Sequence, residues 1–374
     1  MTDATVMISR ARDFARDTLA PNVEAWERAR QFPLEAFAAA AEAGLTAIET
    51  PSAFGGLGLP FSVKAEIAEI LGGVDFGLAM AILNTQNVAA KITRDAPRGV
   101  AERYVPDILA GRRLGCTALT EPSAGSDFAA ITTRAERDSD GWVLHGEKAW
   151  IINAAAADVI VLYAQTEPGS GGKGIAAFLI DGQREGFRRL PAFDVAGEFT
   201  IGSGGFRLDG YRASADELLQ PPGQAFKSAL GSINGARIYV AAMCCGMVAS
   251  CLKTAAVYGR ARQTFGKRLV DHQGWRWALA EAETDLAAAR IMVREAASLI
   301  DNSVPAMTEA ARTKIFATRM ATRHIPALAQ LMGAEGLRSH YPFGRHQIGA
   351  RMASFTDGST EMLLERLAAA YLKD

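Results

Sequence analysis

The stretch Leu119-Thr-Glu-Pro-Ser-Ala-Gly-Ser-Asp127 gathers residue types that can hold an anion. Pro122 fixes φ and ends any preceding strand. Ala124-Gly125-Ser126 supplies a small-residue turn, where backbone N–H groups stand open to a ligand. An ordinary turn explains the same residues, so this segment alone does not specify a phosphate cradle. Further on, Gly141-Trp-Val-Leu-His-Gly-Glu-Lys-Ala-Trp-Ile-Ile-Asn153 predicts a strand, a turn and a second strand, from its alternation and glycine placement. Near the C-terminus, Phe355-Thr-Asp-Gly-Ser-Thr-Glu361 puts an acid, Asp357, ahead of an apolar-periodic segment. Taken by itself, Asp-Gly-Ser-Thr is a turn and helix N-cap sequence.

Other reactive residue types are scattered. Cys116, Cys244, Cys245 and Cys251 form no Cys-x-x-Cys pair, and three lie in one apolar segment. Buried thiols in a reducing compartment are expected. The five histidines do not cluster; His340 and His346 fall in a Gly/Pro-containing loop, and no metal site is expected. The loop at residues 50–60 is rich in Gly and Pro but has no following Gly-Lys-Ser/Thr, so it reads as a connector.

Three blocks must position these residues. Residues 1–112 read as helical: Val6 to Leu19, stopping at Pro21, then Leu34 to Ala43 ended by Gly44, then Ser62 to Leu71, Gly77 to Thr93 and Arg98 to Leu109. Residues 113–222 change to short alternating or apolar runs, including Ala156 to Gln165 and Gly174 to Asp181, which predicts an antiparallel sheet closed as a barrel or packed as a sandwich. Residues 223–374 return to helices with apolar stripes, Phe226 to Arg260, His272 to Leu299 and Pro305 to Leu331, the third kinked or broken at Pro326. A loop from Gly333 to Gly358 and a last helix, Thr360 to Leu372, complete a four-helix bundle. The fold class is α+β.

Composition narrows the functions. The chain has 374 residues, 49% hydrophobic and 22% charged, as a globular protein of several domains would. A net charge of −1 gives no footprint for nucleic acid or an anionic membrane. Asp3, Arg10, Arg12 and Asp13 occupy the region where a signal peptide would be apolar, and the apolar run Ile238 to Leu252 is too short to span a bilayer. A cytoplasmic location is expected.

The two central segments together resemble the flavin-binding signature of the acyl-CoA dehydrogenase family, in which "TEPxAGSD" precedes "GxKxWITN". Tyr258-Gly-Arg-Ala-Arg-Gln-Thr-Phe-Gly-Lys-Arg268 with Gln273 is similar to the family's "YAxxRxxFGKxxxxxQ", and Gln330-Leu-Met-Gly-Ala-Glu-Gly336 to its "QxxGGxG". Phe355 to Glu361 lies where the family has "IYEGTxE". The resemblance spans essentially the whole chain. It implies a middle β-barrel and bound FAD. Leu119, Thr120, Gly125, Ser126, Trp150, Ile151 and Ile152 would hold the flavin, with Ser359 and Glu361 at the bundle side. Arg262, Phe265, Gln330 and Gly333 would reach the FAD of a neighbouring subunit, which requires a homo-oligomer, a dimer or a tetramer. Ser126, Arg237, Thr356 and Gly358 would meet the substrate, and Leu83, Asn84, Gln86, Asn87 and Tyr239 would line its acyl pocket.

The resemblance also makes Asp357 the catalytic base, in the family's Glu position. It would take the α-proton of an acyl thioester while the β-hydride goes to flavin N5. Aspartate reaches one carbon–carbon bond less far, about 1.5 Å, a displacement that can cost roughly a hundredfold in rate. The alternative base position of some relatives, beside Arg237, is closed by Ala236. Ile152 stands where the family's Thr donates to flavin N5, Thr356 where it has Tyr, Ile348-Gly349 where it has Arg-Asp, and Ala334 replaces a glycine. The departures gather around the reacting atoms and spare the residues that hold the cofactor. Three readings are open: a dehydrogenase of acyl-CoA or acyl-carrier-protein thioesters that passes electrons to electron-transfer flavoprotein; an oxidase or oxygenase using dioxygen; and a flavin-bound subunit without catalysis.

Overall fold

The computed structural model describes residues 3–372. Its N-terminal part holds α1 (Asp3–Phe14), α2 (Ala20–Ala29), α3 (Leu34–Glu42), α4 (Phe61–Gly72), α5 (Phe76–Asp95) and α6 (Arg98–Leu109). The helix expected to stop at Pro21 does not stop. A π-helical turn, Ala15–Leu19, joins α1 to α2, and Pro21 falls in the first turn of α2. The widened turn lies directly before this proline, whose ring has no N–H to donate to the preceding turn.

The middle part is one sheet of eight strands: β1 (Gly115–Ala118), β2 (Arg134–Arg137), β3 (Gly141–Ile151), β4 (Val159–Gln165), β5 (Ile175–Asp181), β6 (Phe187–Arg189), β7 (Gly204–Ser214) and β8 (Leu218–Gln220). The ladder runs β6-β7-β3-β2-β4-β5-β8, with β1 on β4. Most pairs are antiparallel as expected, but β1 pairs with β4 in parallel, and β2 touches β4 in parallel at Arg134 and Gln165. Residues 141–153 correct the sequence reading. They are not strand, turn, strand but one long β3 to Ile151, with register shifts against β7 after Leu144 and Lys148, followed by a turn at Ile152 and Asn153. Gly146 marks a close approach instead of a turn, since a Cβ there would lie 2.6–2.8 Å from Thr133.

The C-terminal part contains α7 (Ala225–Ala261), a hairpin of β9 (Gln263–Thr264) and β10 (Lys267–Arg268), then α8 (Gln273–Asp301), α9 (Met307–Gln330), α10 (Phe343–Phe355) and α11 (Thr360–Tyr371). Helix α9 continues through Pro326 without a break. The expected loop Gly333 to Gly358 holds a 3₁₀ turn, Gly333–Leu337, and all of α10. Helix α10 escaped the pattern because Gly344 and Gly349 interrupt its apolar stripe. The glycine serves packing: a Cβ at Gly349 would lie 2.8 Å from the Glu198 carboxylate and 3.1 Å from Met247 Sδ. The four cysteines are free and buried.

Helices α5 and α7 both run through the interior of the molecule. Helix α7 is buried over Ala236–Val248 against α4, α8 and α9. By length and composition it is apolar enough to cross a bilayer, and longer than the run read from the sequence, but 61% of that apolar window is buried inside the protein. Helix α5 is fixed at its N-terminus by carboxylates. Asp75 accepts from Leu78 N (2.6 Å) and Thr200 Oγ1 (2.6 Å), and Glu198 accepts from Gly77 N (2.8 Å). Glu27 in turn accepts from the backbone of Glu198 and Phe199. Acceptor oxygens at this end satisfy N–H groups that the helix itself leaves unpaired.

Candidate active site

The loop after β1 is held from beneath. Glu121 and Ala124 exchange backbone hydrogen bonds (2.9 and 3.2 Å), and Ala149 N donates to Thr120 O (3.1 Å). The Glu121 carboxylate accepts from Thr132 N (2.7 Å), Thr132 Oγ1 (2.8 Å), Thr133 N (2.9 Å) and Lys148 Nζ (2.9 Å). Lys148 also donates to Leu119 O (2.8 Å). Both side chains of this ion pair are 1% exposed. Burial pushes Glu121 up, but the Lys148 charge and the hydrogen bonds outweigh it and hold Glu121 down at about 2. Burial lowers Lys148 to about 8 against the pull of Glu121. The loop is therefore set by a satisfied buried pair that lies outside the cavity lining.

Beyond β3 the chain turns sharply. Trp150 and Asn153 have positive φ (58° and 67°), uncommon for such residues. Asn153 Nδ2 donates to Ala81 O (2.9 Å), Gly115 O (2.9 Å) and Thr85 Oγ1 (3.1 Å), tying the end of the strand to α5 and β1. The turn leaves Trp150 61% exposed, against Phe193 at a ring distance of 4.4 Å.

Opposite lies Asp357, φ 56°. The helix cap anticipated in this segment exists, but Ser359 supplies it, accepting from Met362 N (3.4 Å). Asp357 is left free of that role. The turn is gripped by backbone carbonyls: Arg237 Nε donates to Asp357 O (3.0 Å) and Lys314 Nζ to Gly358 O (2.5 Å). Asp357 is partly buried, and its Oδ2 is shielded from solvent without a hydrogen-bond partner. Burial raises its pKa, opposed by the charges of Lys314 and Arg237. Burial likewise lowers Lys314 to about 8.

These parts line one cavity of about 1440 Å³. It brings together Leu119, Thr120, Gly125, Ser126, Trp150, Ile151, Ile152, Arg237, Thr356, Asp357, Gly358 and Ser359 of the residues singled out in the sequence. Thr356 lines it with its hydroxyl donated to Met352 O (2.9 Å). Glu361, in the first turn of α11, is outside the lining. So are Arg262, Phe265, Gln330 and Gly333. Phe265 sits in the β9–β10 hairpin, 97% exposed with φ 51°, and Gly333 follows the end of α9. Of the helix residues proposed for the acyl pocket, Asn84, Asn87 and Tyr239 line the cavity. Leu83 and Gln86 do not; Gln86 turns away to donate to Leu45 O (2.5 Å). Three functional candidates were missed in the sequence: Lys314, Lys64 and Glu49. For the two lysines, a charge within an otherwise apolar helix face was the available signal; Glu49, in the loop before α4, carried none.

Comparisons with known proteins give the family. Models of the N-terminal, middle and C-terminal domains of acyl-CoA dehydrogenases match residues 2–112, 116–210 and 223–372. The chain is 31% identical to the mitochondrial short-chain specific acyl-CoA dehydrogenase of Bos taurus, over 96% of this chain and 87% of that protein. It is 34% identical to an acryloyl-CoA reductase (NADH) of Anaerotignum propionicum, over 94% and 90%. Its fold superposes on butyryl-CoA dehydrogenase of Megasphaera elsdenii with a TM-score of 0.96, at 28% identity, covering 100% of this chain and 99% of that one. The chain belongs to the acyl-CoA dehydrogenase family.

Proposed function

We propose that this protein binds FAD and oxidises an acyl thioester at Cα–Cβ, with Asp357 as the base. The residues present fit the cofactor. Ile151, Ile152 and Trp150 offer an apolar and aromatic wall, Leu119 and Thr120 a neighbouring backbone edge, and Gly125 and Ser126 a small-residue loop. A Cβ at Gly125 would meet only Thr120 Cγ2, at 3.9 Å, so the backbone there is open to a ligand. Bound FAD would supply the hydride acceptor.

The observation that carries the reading is the unpartnered, shielded Oδ2 of Asp357 in the same cavity as that wall. A carboxylate without a hydrogen-bond donor at that oxygen keeps its basicity for the α-proton. Arg237 and Lys314 hold the backbone on either side and place two positive charges near the acid. Ser126, Arg237, Thr356 and Gly358 are positioned to meet the thioester, carried on coenzyme A or a carrier protein. Arg262, Phe265, Gln330 and Gly333 lie outside the cavity and are assigned to the FAD of a neighbouring protomer in a dimer or tetramer, with electron-transfer flavoprotein as the acceptor. The exposure of Phe265 supports that role.

The test is anaerobic reduction of the purified holoprotein by a panel of acyl-CoAs, read as bleaching of the flavin. Bleaching by at least one thioester, lost in Asp357→Asn with FAD still bound, is expected. Normal bleaching by that variant would remove Asp357 as base. Ile152 favours a second reading: without a hydroxyl on this wall, dioxygen would serve as acceptor. Rapid reoxidation of the reduced protein in air would establish it, and slow reoxidation relieved by an artificial acceptor would exclude it.

A further inference from the structure

Resting on the reading of the cavity as an acyl-thioester site, we infer that the acyl group it takes carries an uncharged oxygen, met by Tyr239 and Asn84. One wall of the cavity, between α4, α5 and α7, is polar where an unsubstituted acyl chain would want hydrocarbon. Lys64, with a side chain only 1% exposed, pairs with Glu49 and donates to Asn87 Oδ1 (2.7 Å). Asn87 Nδ2 then donates to the Tyr239 hydroxyl (3.1 Å). This chain of contacts joins all three helices to the segment carrying Glu49, and Lys64, Glu49, Asn87 and Tyr239 all line the cavity. Tyr239 stands two residues beyond Arg237, the residue that grips the Asp357 turn, and is near enough to Asp357 to feel its charge.

Counting the hydrogen-bonding capacity gives the ligand chemistry. Both ends of the Asn87 amide are engaged. The Tyr239 oxygen accepts from Asn87, which leaves its O–H to donate. Asn84 accepts from Thr117 N (3.2 Å) through Oδ1, and its Nδ2 has no partner among the described residues. Two donors, on α5 and α7, thus line the same cavity with no hydrogen-bond acceptor among the described residues. An unsubstituted chain placed there would strip them of water and return nothing. The ligand's charge is set by the neighbouring ion pair: Lys64 is already balanced by Glu49, so an acyl carboxylate would bring a second, uncompensated anion next to Glu49. A hydroxyl satisfies the donors without that penalty.

The experiment compares three five-carbon thioesters on the holoprotein without oxygen: pentanoyl-CoA, 5-hydroxypentanoyl-CoA and glutaryl-CoA. Dissociation constants come from perturbation of the flavin spectrum, and rates from its bleaching. The hydroxylated ester should bind or react about tenfold better than either of the others. Tyr239→Phe and Asn84→Leu, checked for bound FAD, should each reduce that preference. Pentanoyl-CoA reducing the flavin as well as the hydroxylated ester, or glutaryl-CoA outperforming it, would overturn the inference while leaving the acyl-thioester reading in place. A preference unmoved by both variants would overturn the assignment of Tyr239 and Asn84. Failure of all three esters, and of longer and shorter ones, to perturb or bleach the flavin would bring down both readings together.

Discussion

Two carboxylates in this molecule illustrate opposite designs. Glu121 is 1% exposed and accepts four hydrogen bonds, one from its partner Lys148. Asp357 lies in the cavity with one oxygen bonded to nothing, and its two cations hold neighbouring carbonyls instead of its side chain. The first acid is held well below its ordinary range; the second is raised above it. Full satisfaction makes a carboxylate a fastener, and incomplete satisfaction leaves it able to take a proton.

Breaking the fastener should have the largest effect. Lys148→Met would leave Glu121 buried without its cation, at a cost of about 3–5 kcal/mol. A lowered Tm and loss of bound FAD are expected by thermal melting and flavin absorbance. Asp357→Asn should instead spare the fold and lower the flavin reduction rate by roughly a thousandfold. Asp357→Glu, which restores the missing carbon–carbon bond, should remain within roughly a hundredfold of the native rate.

The contrast also predicts opposite pH behaviour. Glu121 is depressed on folding, so its contribution to stability is present above about 4.5 and lost as pH falls through about 2. Asp357 is raised on folding. Its contribution is fully present below 3.8 and is lost as pH rises through the folded value. Near neutral pH, Asp357→Asn should therefore melt at a higher temperature than the native protein while being nearly inactive. Native activity should rise with pH as Asp357 ionises. Lys314→Met removes a cation that favours the ionised acid, so the acidic limb of the rate profile should move to higher pH. The smallest effect is expected from Ile152→Thr, which adds a hydroxyl to the wall and should slow reoxidation of the reduced protein in air.

What the sequence made legible was mostly local. The segments at 119–127 and 141–153 lie close in the chain and fold on each other, so their motifs could be read directly. Strand β3 departs from its pattern because a glycine there answers to Thr133, on a separate segment. Helix α10 is hidden for a similar reason: Gly349 is shaped by Glu198 and Met247, which no window around it contains. At the site, Asp357 is legible as an acid ahead of a helix, but the cap belongs to Ser359, which takes the helix end. Lys64 and Glu49 reach the cavity from two separate segments, and Lys314 grips the Asp357 turn from a third. Their meaning appears only when packing brings them to Gly358, Asn87 and Tyr239.

The grip of Arg237 and Lys314 on main-chain oxygens has a consequence for descent. A loop anchored this way does not take its grip from the side chain it displays, so its acid can be exchanged while both anchors stay, within the preference of a left-handed backbone (φ 56°) for Asp, Asn or Gly. One scaffold can thereby try different chemistries over the same cofactor cleft, each a single codon away from the last.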